Sequence, residues 1–373
     1  MNVFLSITNC NSLFKTVAVF LFIITILSCG VSKIDGDSTY KLIFLDEYIL
    51  DENLKFHNHK VGGLSGIDYK DGKFVLISDH SSNPVIFVSD ISIENQTIKS
   101  VDFIEANTIN CDYIKTFDTE SIRFLPNKNQ YLISAEGNIY KGQNPLIFQT
   151  NEIGSCTKFY DLPNFFNANT TDGPRQNGVF EGLTLDYKKT GFWVINELPL
   201  KRDGKPPKLY NTNSPLRLTH YQFDDINPDI QLSYDLDRLI KIPFLPFGVN
   251  GATEILQIDE EHLLILERSY SAGHKSKGNR VKIFLVNVAK GINLLNASSF
   301  KHNKDYNLQK HLLFDSKLIK KSLEFQFIDN IEGMTFGPDL ENGNKSLILV
   351  SDNNFNAFGH QINQFLLLKL SKL

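Results

Sequence analysis

Apolar residues fall in short runs separated by turn-forming residues, and in five places two such runs flank one turn. The five stretches are SGIDYKDGKFVLISD (Ser65 to Asp79), ESIRFLPNKNQYLISAE (Glu120 to Glu136), FEGLTLDYKKTGFWVINE (Phe180 to Glu197), EILQIDEEHLLILE (Glu254 to Glu267) and EGMTFGPDLENGNKSLILVSD (Glu332 to Asp352). Each predicts a β-hairpin, because turn chemistry sits at the midpoint: Asp71-Gly72, Pro126 to Asn129, Asp186 to Gly191, Asp259 to Glu261 and Glu341 to Asn344. Since paired strands run antiparallel, the residue that opens the first and the residue that closes the second lie at the same end. Four of the five stretches carry an acid at both positions, and the first has Ser65 where an acid would open it.

Between successive hairpins come two more strand-like runs: PVIFVSDI and IKSVDFIEA, NPLIFQT and CTKFYDL, LRLTHYQF and IQLSYDL, NRVKIFLVNV and QKHLLFD. Four antiparallel strands per repeat, with little helical periodicity, predict an all-β fold, a β-propeller of four-stranded antiparallel blades. The last unit has its hairpin and one further run, NQFLLLKL; YKLIFLDEYIL (Tyr40 to Leu50) supplies the fourth strand and closes the ring, removing an open edge. Five blades are counted. The repeats exceed the roughly 40 to 50 residues of familiar propeller units, so six is the alternative. A β-sandwich would leave the repeated acid-ended hairpin unexplained.

If equivalent hairpin ends share one face of a propeller, nine carboxylates converge on a single rim: Asp79, Glu120, Glu136, Glu181, Glu197, Glu254, Glu267, Glu332 and Asp352. So many like charges require protonation, neutralising Arg or Lys, or a cation. Oxygen-only ligands suit Ca²⁺ or Mg²⁺, and no Cys/His cluster argues for zinc. The competing reading is that the acids bind backbone N–H groups and arginines at the blade ends. His57 and His59 alone make a weak metal signal, and Trp193 is read as core. Polar loops leave the rim after Glu197, Glu267 and Asp352, and DGPRQNG (Asp172 to Gly178) enters it. Loops gathered on one face of a rigid scaffold commonly carry binding. They place Arg268, Arg175 and Lys275, with Arg123 behind, as candidates to bind an anionic substrate. Within the rim Glu181, Glu254 and Glu332 are the candidate catalytic acids. Ser65 is not read as a nucleophile, because Ile67 replaces the last glycine of a G-x-S-x-G elbow and the segment opens a strand.

The chain has 373 residues, 42% of them apolar, and a net charge of -4, which gives no electrostatic case for nucleic acid. An apolar run from Val17 to Leu27 is too short for a comfortable membrane span and has the layout of a secretory signal. Its end, Ile26-Leu27-Ser28-Cys29-Gly30, resembles the bacterial lipoprotein signal. Residues 1–28 are expected to be removed and Cys29 lipidated, leaving a polar tether over 29–39 and one domain over 40–373. The protein is thus expected to be exported, lipid-anchored to a bacterial membrane, and monomeric. Of the remaining cysteines, Cys111 and Cys156 form either a disulfide or two buried thiols.

The motifs SGIDY with LISD, DTESIRF with LISAEG, VFEGLTLD with WVINE, NGATEI with LLILERSY, and DNIEGMTF with LILVSDNNF together resemble the phytase-like family, described by an esterase-like activity of phytase. They span Gly62 to Phe355. The resemblance implies an exported propeller that hydrolyses phosphoesters with a divalent ion, and no catalytic residue is carried over from it. A metal-dependent phosphoesterase acting on a small anionic substrate is the first expectation. A non-catalytic propeller binding a glycan or protein at the cell surface is one alternative. A metal-dependent lactonase or carboxylesterase is another.

Overall fold

Strand β1 (Tyr40–Leu50) pairs antiparallel with the last strand of the chain, β22 (Asn363–Lys372), so the two ends of the domain are stitched into one sheet. This computed structural model describes residues 39–373 apart from 112, 113, 115, 116 and 342. The expected signal segment 1–28, Cys29 and the tether up to residue 38 lie outside the described residues. A two-residue-stranded hairpin, β2 (Lys55–Phe56) and β3 (His59–Lys60), follows β1. His57 lies in its turn, so the two histidines do not alternate along one strand.

Five four-stranded antiparallel sheets come next. The first blade holds β4 (Leu64–Lys70), β5 (Lys73–Ser78), β6 (Val85–Glu94) and β7 (Thr97–Thr108). The second holds β8 (Thr119–Leu125), β9 (Gln130–Ala135), β10 (Leu146–Asn151) and β11 (Cys156–Phe159). The third holds β12 (Phe180–Leu185), β13 (Gly191–Asn196), β14 (Pro215–Gln222) and β15 (Pro228–Asp235). The fourth holds β16 (Gly248–Gln257), β17 (His262–Ser271), β18 (Asn279–Asn287) and β19 (Lys310–Asp315). The fifth is β20 (Asn330–Asp339), β21 (Lys345–Asp352), β22 and β1, in that order across the sheet. The expected propeller is therefore present, with five blades and N-terminal closure.

Inner strands β4, β8, β12, β16 and β20 each touch the next and β20 returns to β4, which closes the ring. The sheets face one another, so their middle strands are buried on both sides. That is why β17, β21 and β22 read as unbroken apolar runs (LLIL, LILV, FLLL) instead of alternating. Ile67, Phe74 and Leu76 of the first blade pack with Ile348, Val350, Phe365 and Leu367 of the fifth. Trp193 is buried in the layer between the third and fourth. At the hairpin tip of the first blade Asp71 and Gly72 both have positive φ (47° and 84°), the geometry a two-residue turn needs to match strand twist. Cys111 and Cys156 are joined by a disulfide, with Cα atoms 5.2 Å apart, which ties the entry of the second blade to its outer strand.

A β-bulge recurs in every inner strand. The register slips between Leu64 and Gly66, Thr119 and Ser121, Phe180 and Leu183, Ala252 and Glu254, and Ile331 and Gly333. A bulge sets an extra residue against one partner and re-aims its side chain. The extra residues are Ser65, Glu120, Glu181 (with Gly182), Thr253 and Glu332.

Candidate functional site

The bulges decide which side chains reach the rim. Opposite them, the residue one beyond the partner of the residue before each bulge is Asp79, Glu136, Glu197, Arg268 or Asp352, because Leu64 pairs Ser78, Thr119 pairs Ala135, Phe180 pairs Asn196, Ala252 pairs Glu267 and Ile331 pairs Ser351. In the fourth blade the rim positions therefore belong to Thr253 and Arg268. The expectation that Glu254 and Glu267 stand there is corrected: each is one residue out of step, and a shift of one turns a side chain to the other face.

Glu254 is fully buried in the centre of the ring. It accepts hydrogen bonds from Ser121 Oγ (3.0 Å), Leu183 N (2.9 Å) and Ile255 N (2.9 Å), and pairs with Arg123 Nη2 at 2.8 Å. Burial pushes its carboxyl up to about 7, against the opposing pull of Arg123. Arg123 donates to the carbonyls of Ile67 and Ile122 (2.8 and 2.7 Å) and of Ile255 and Met334 (3.2 Å each). The pair thus ties all five inner strands and fills the middle of the ring, so neither residue is placed to bind substrate. Glu267 is also internal, accepting from Tyr234 Oη (2.6 Å), Lys310 Nζ (2.8 Å) and Asn250 Nδ2 (2.6 Å).

Seven of the expected carboxylates do reach the rim: Asp79, Glu120, Glu136, Glu181, Glu197, Glu332 and Asp352. Asp118, two residues before Glu120, joins them. The cation that answers them is Arg268, bonded to Glu197 Oε1 (3.1 Å), Glu332 Oε1 (3.2 Å) and Asn330 Oδ1. Asn330 in turn donates to Glu332 Oε1 (2.9 Å) and Asp352 Oδ2 (3.3 Å). Burial lowers the pKa of Arg268, but Glu332, Glu197 and Glu181 outweigh it and hold the guanidinium firmly charged.

Among the described residues, the other half of the rim has no such answer. Glu136 accepts the Val179 N–H, and the carboxylate of Glu181, only 6% exposed, receives no hydrogen bond or ion pair among the described residues. Two sets of carboxylates meet here, Asp118 with Glu120 and Glu136, and Glu136 with Glu181 and Glu197, their oxygens within 4.8 Å of one another in each set. Two oxygens bound to one Ca²⁺ at about 2.3 to 2.6 Å can be no farther apart than about 5 Å, so each set fits a hard cation. Burial, then mutual repulsion, raises Glu120, Glu136, Glu181 and Glu332 well above the usual carboxylate range. Burial lifts Asp118 and Asp352 to about 6, and burial with repulsion from Asp352 and Asp118 lifts Asp79 to about 9. Asp79 Oδ1 is buried and without a hydrogen-bond partner among the described residues.

The remaining candidates lie elsewhere. Arg175 donates to the carbonyls of Pro199 (3.0 Å) and Gly204 (2.9 Å), holding the loop that follows Glu197. Lys275 is exposed in a short 3₁₀ turn. Ser65 is buried with its hydroxyl on Thr119 O (2.7 Å), which fits a latch between blades. Reading one acid per strand missed Asp118, although DTESIRF shows it, and gave no sign of Asn330.

A family model with the description "Phytase-like: Esterase-like activity of phytase" matches residues 59–355. No curated protein matches the chain. Among solved structures, the chain is similar to an endo-arabinase from Bacteroides thetaiotaomicron (10% identity, 82% of this chain and 93% of that one, TM-score 0.43). It is also similar to a putative glycoside hydrolase from Bacteroides ovatus (10%, 82% and 86%, TM-score 0.44). A third is the periplasmic gluconolactonase of Pseudomonas aeruginosa (10%, 82% and 86%, TM-score 0.38). These likenesses lend no weight to any activity.

Proposed function

The chain belongs to the phytase-like family, and from that membership we propose that it is a divalent-cation-dependent phosphoesterase working at the acidic half of the rim. The observation that carries the reading is Glu181: a buried carboxylate without a partner among the described residues, set among acids whose oxygens are spaced for a shared cation. Leaving such a group uncompensated is costly, and a bound cation removes the cost.

In this reading Asp118, Glu120, Glu136, Glu181 and Glu197 hold Ca²⁺ or Mg²⁺. Such an ion, when bound, offsets the carboxylate charge and polarises a phosphoryl oxygen. Arg268 fixes Glu197 and Glu332 and sets positive charge beside the place where negative charge develops on the phosphoryl oxygens. Glu332 uses Oε1 for Asn330 and Arg268, which leaves Oε2 to hold a proton for the departing alcohol. The pattern at residues 17–30 and the Cys111–Cys156 disulfide support export with a lipid anchor at Cys29, since disulfides persist mainly in oxidising compartments.

The test is hydrolysis of phytate and simple phosphomonoesters by chelator-stripped protein, with Ca²⁺ or Mg²⁺ restored. Turnover that returns with the ion is expected. Absence of ion-dependent turnover on every phosphoester sinks the reading, and hydrolysis of lactones alone would replace it.

A further inference from the structure

Two loops beside the fourth blade present an apolar surface that the rim does not use. The segment entering β16 is KIPFLPF, residues 241–247, in which Ile242, Phe244, Leu245 and Phe247 are 57%, 74%, 59% and 58% exposed. Large apolar side chains scattered singly are ordinary, but four within six residues are not. They are also held outward. Phe244 N donates to Ala272 O (2.8 Å), Ala272 N to Phe247 O (3.0 Å) and Ser271 Oγ to Lys241 O (2.9 Å), so the segment is zipped to the loop leaving β17. His274 bonds Ile242 O through Nε2 (2.9 Å) and lies against the Phe244 ring, centroids 4.3 Å apart. Pro243 and Pro246 further restrict the backbone.

The flanks of this surface are basic. Lys241 donates to the carbonyl of Lys277, and Lys275 and Lys277 are exposed in the partner loop. Lys320 and Arg280 are close enough to Lys241 for mutual repulsion to add to burial in pulling Lys241 down to about 8. Arg280 is matched by Asp315 (Nε to Oδ1, 2.9 Å), whereas Lys275, Lys277, Lys320 and Lys321 have no carboxylate partner among the described residues. The rim acids are mostly buried, so the lysines dominate the charge displayed on this surface.

Exposed aromatic and aliphatic residues on a stiff loop, ringed by lysines, match an anionic bilayer interface: rings enter the boundary between headgroups and chains while ammonium groups meet lipid phosphates. We infer that the loop pair 241–247 and 271–278 is a membrane-contact surface that seats the propeller on anionic phospholipid. Because the loop leaves β17 three residues beyond Arg268, seating it brings the rim toward the headgroup layer. The inference goes beyond the phosphoesterase reading and does not depend on it. It accords with the lipid anchor expected at Cys29, which would hold the propeller close to a bilayer.

The experiment uses the expected mature chain, residues 29–373, carrying Cys29→Ser, so that neither a lipid nor the apolar segment 17–27 is attached, in co-sedimentation with vesicles of phosphatidylglycerol and phosphatidylethanolamine or of phosphatidylcholine alone. Binding to the anionic vesicles at least tenfold above the neutral ones is expected, falling as salt is raised. Phe244→Asp with Phe247→Asp, and separately Lys241→Glu with Lys277→Glu, should each weaken it at least tenfold while circular dichroism and melting temperature stay unchanged. Equal binding to both vesicles, no binding, or variants that bind like the parent overturns the inference. So does a concentration-dependent dimer, seen by analytical ultracentrifugation, that the phenylalanine variant abolishes without any effect on vesicles. Hydrolysis enters none of these readouts, so failure here leaves the phosphoesterase proposal standing, and its failure leaves this one.

Discussion

Two buried charge assemblies share the inner strands and differ in how their charge is answered. At the centre of the ring Arg123 and Glu254 neutralise each other, and the guanidinium and carboxylate together bond backbone groups from all five blades. At the rim eight carboxylates are answered, among the described residues, by the guanidinium of Arg268, with Asn330 and a few backbone N–H groups helping. The first arrangement is close to what a buried ion pair needs in order to persist: opposite charges matched one to one, with both terminal nitrogens of Arg123 and both oxygens of Glu254 bonded. The second keeps a surplus that the fold alone does not relieve. A structural role explains the centre, and the surplus at the rim calls for something from outside the chain.

The contrast can be broken most forcefully at the centre. Arg123→Met strands Glu254 and four carbonyls and should cost about 3–5 kcal/mol in urea unfolding. Cation affinity of the remaining folded protein should be close to that of the parent. If the variant melts like the parent, the centre is not the pin described.

Next in size is Glu181→Gln. It should lower ion-dependent hydrolysis at least a hundredfold, about 2.7 kcal/mol in the barrier. Yet it should raise the melting temperature of chelator-treated protein, because it removes one repelling carboxylate. A lower melting temperature in the ion-free state would place Glu181 with the structural charges.

The third expectation is a dependence on pH. Folded carboxyls raised to about 6 (Asp118, Asp352) and about 9 (Asp79) keep protons that the unfolded chain has already released. Their contribution to stability is therefore present below the ordinary carboxylate range, near pH 4, and declines as pH rises through 6 and on to 9. Ion-free protein should melt lower at pH 8 than at pH 5, and saturating Ca²⁺ should remove the part of that slope that comes from Asp118. A melting temperature that climbs with pH in the ion-free state contradicts the raised values.

The smallest effect tests the corrected position in the fourth blade. Thr253→Val deletes the hydroxyl bond to Ile331 O (3.3 Å) and should cost about 1 kcal/mol, leaving cation affinity unchanged. Any loss of cation binding would place Thr253 in the ligand set.

The hairpins, the five repeats and the closure by YKLIFLDEYIL were legible because they depend on alternation, turn residues and the need to cover an edge, all of which are local or countable along the chain. Glu120, Glu136, Glu181, Glu197 and Glu332 were legible as rim residues for the same reason: in those blades an acid happens to fall on the bulge or just beyond the last pair. The fourth blade shows the limit. TEIL and LERS offer acids one residue from the structurally equivalent Thr253 and Arg268, and a reading that aligns acid with acid picks Glu254 and Glu267. A bulge sets two residues against one, and nothing in the two-residue alternation marks where it falls. Asp118 stands two residues before Glu120 and was legible in DTESIRF, whereas Asn330 joined the site through Arg268 and Asp352 on other strands, which no spacing along one strand can show.

The sequence by itself determined an all-β ring of five acid-marked repeats, since apolar periodicity and turn chemistry act over a few residues. The tertiary structure decided which charges face the rim and which lock the centre. That choice depends on the bulged register of each strand against its partner, and on whether a cation from another blade lies within bonding distance once the ring closes.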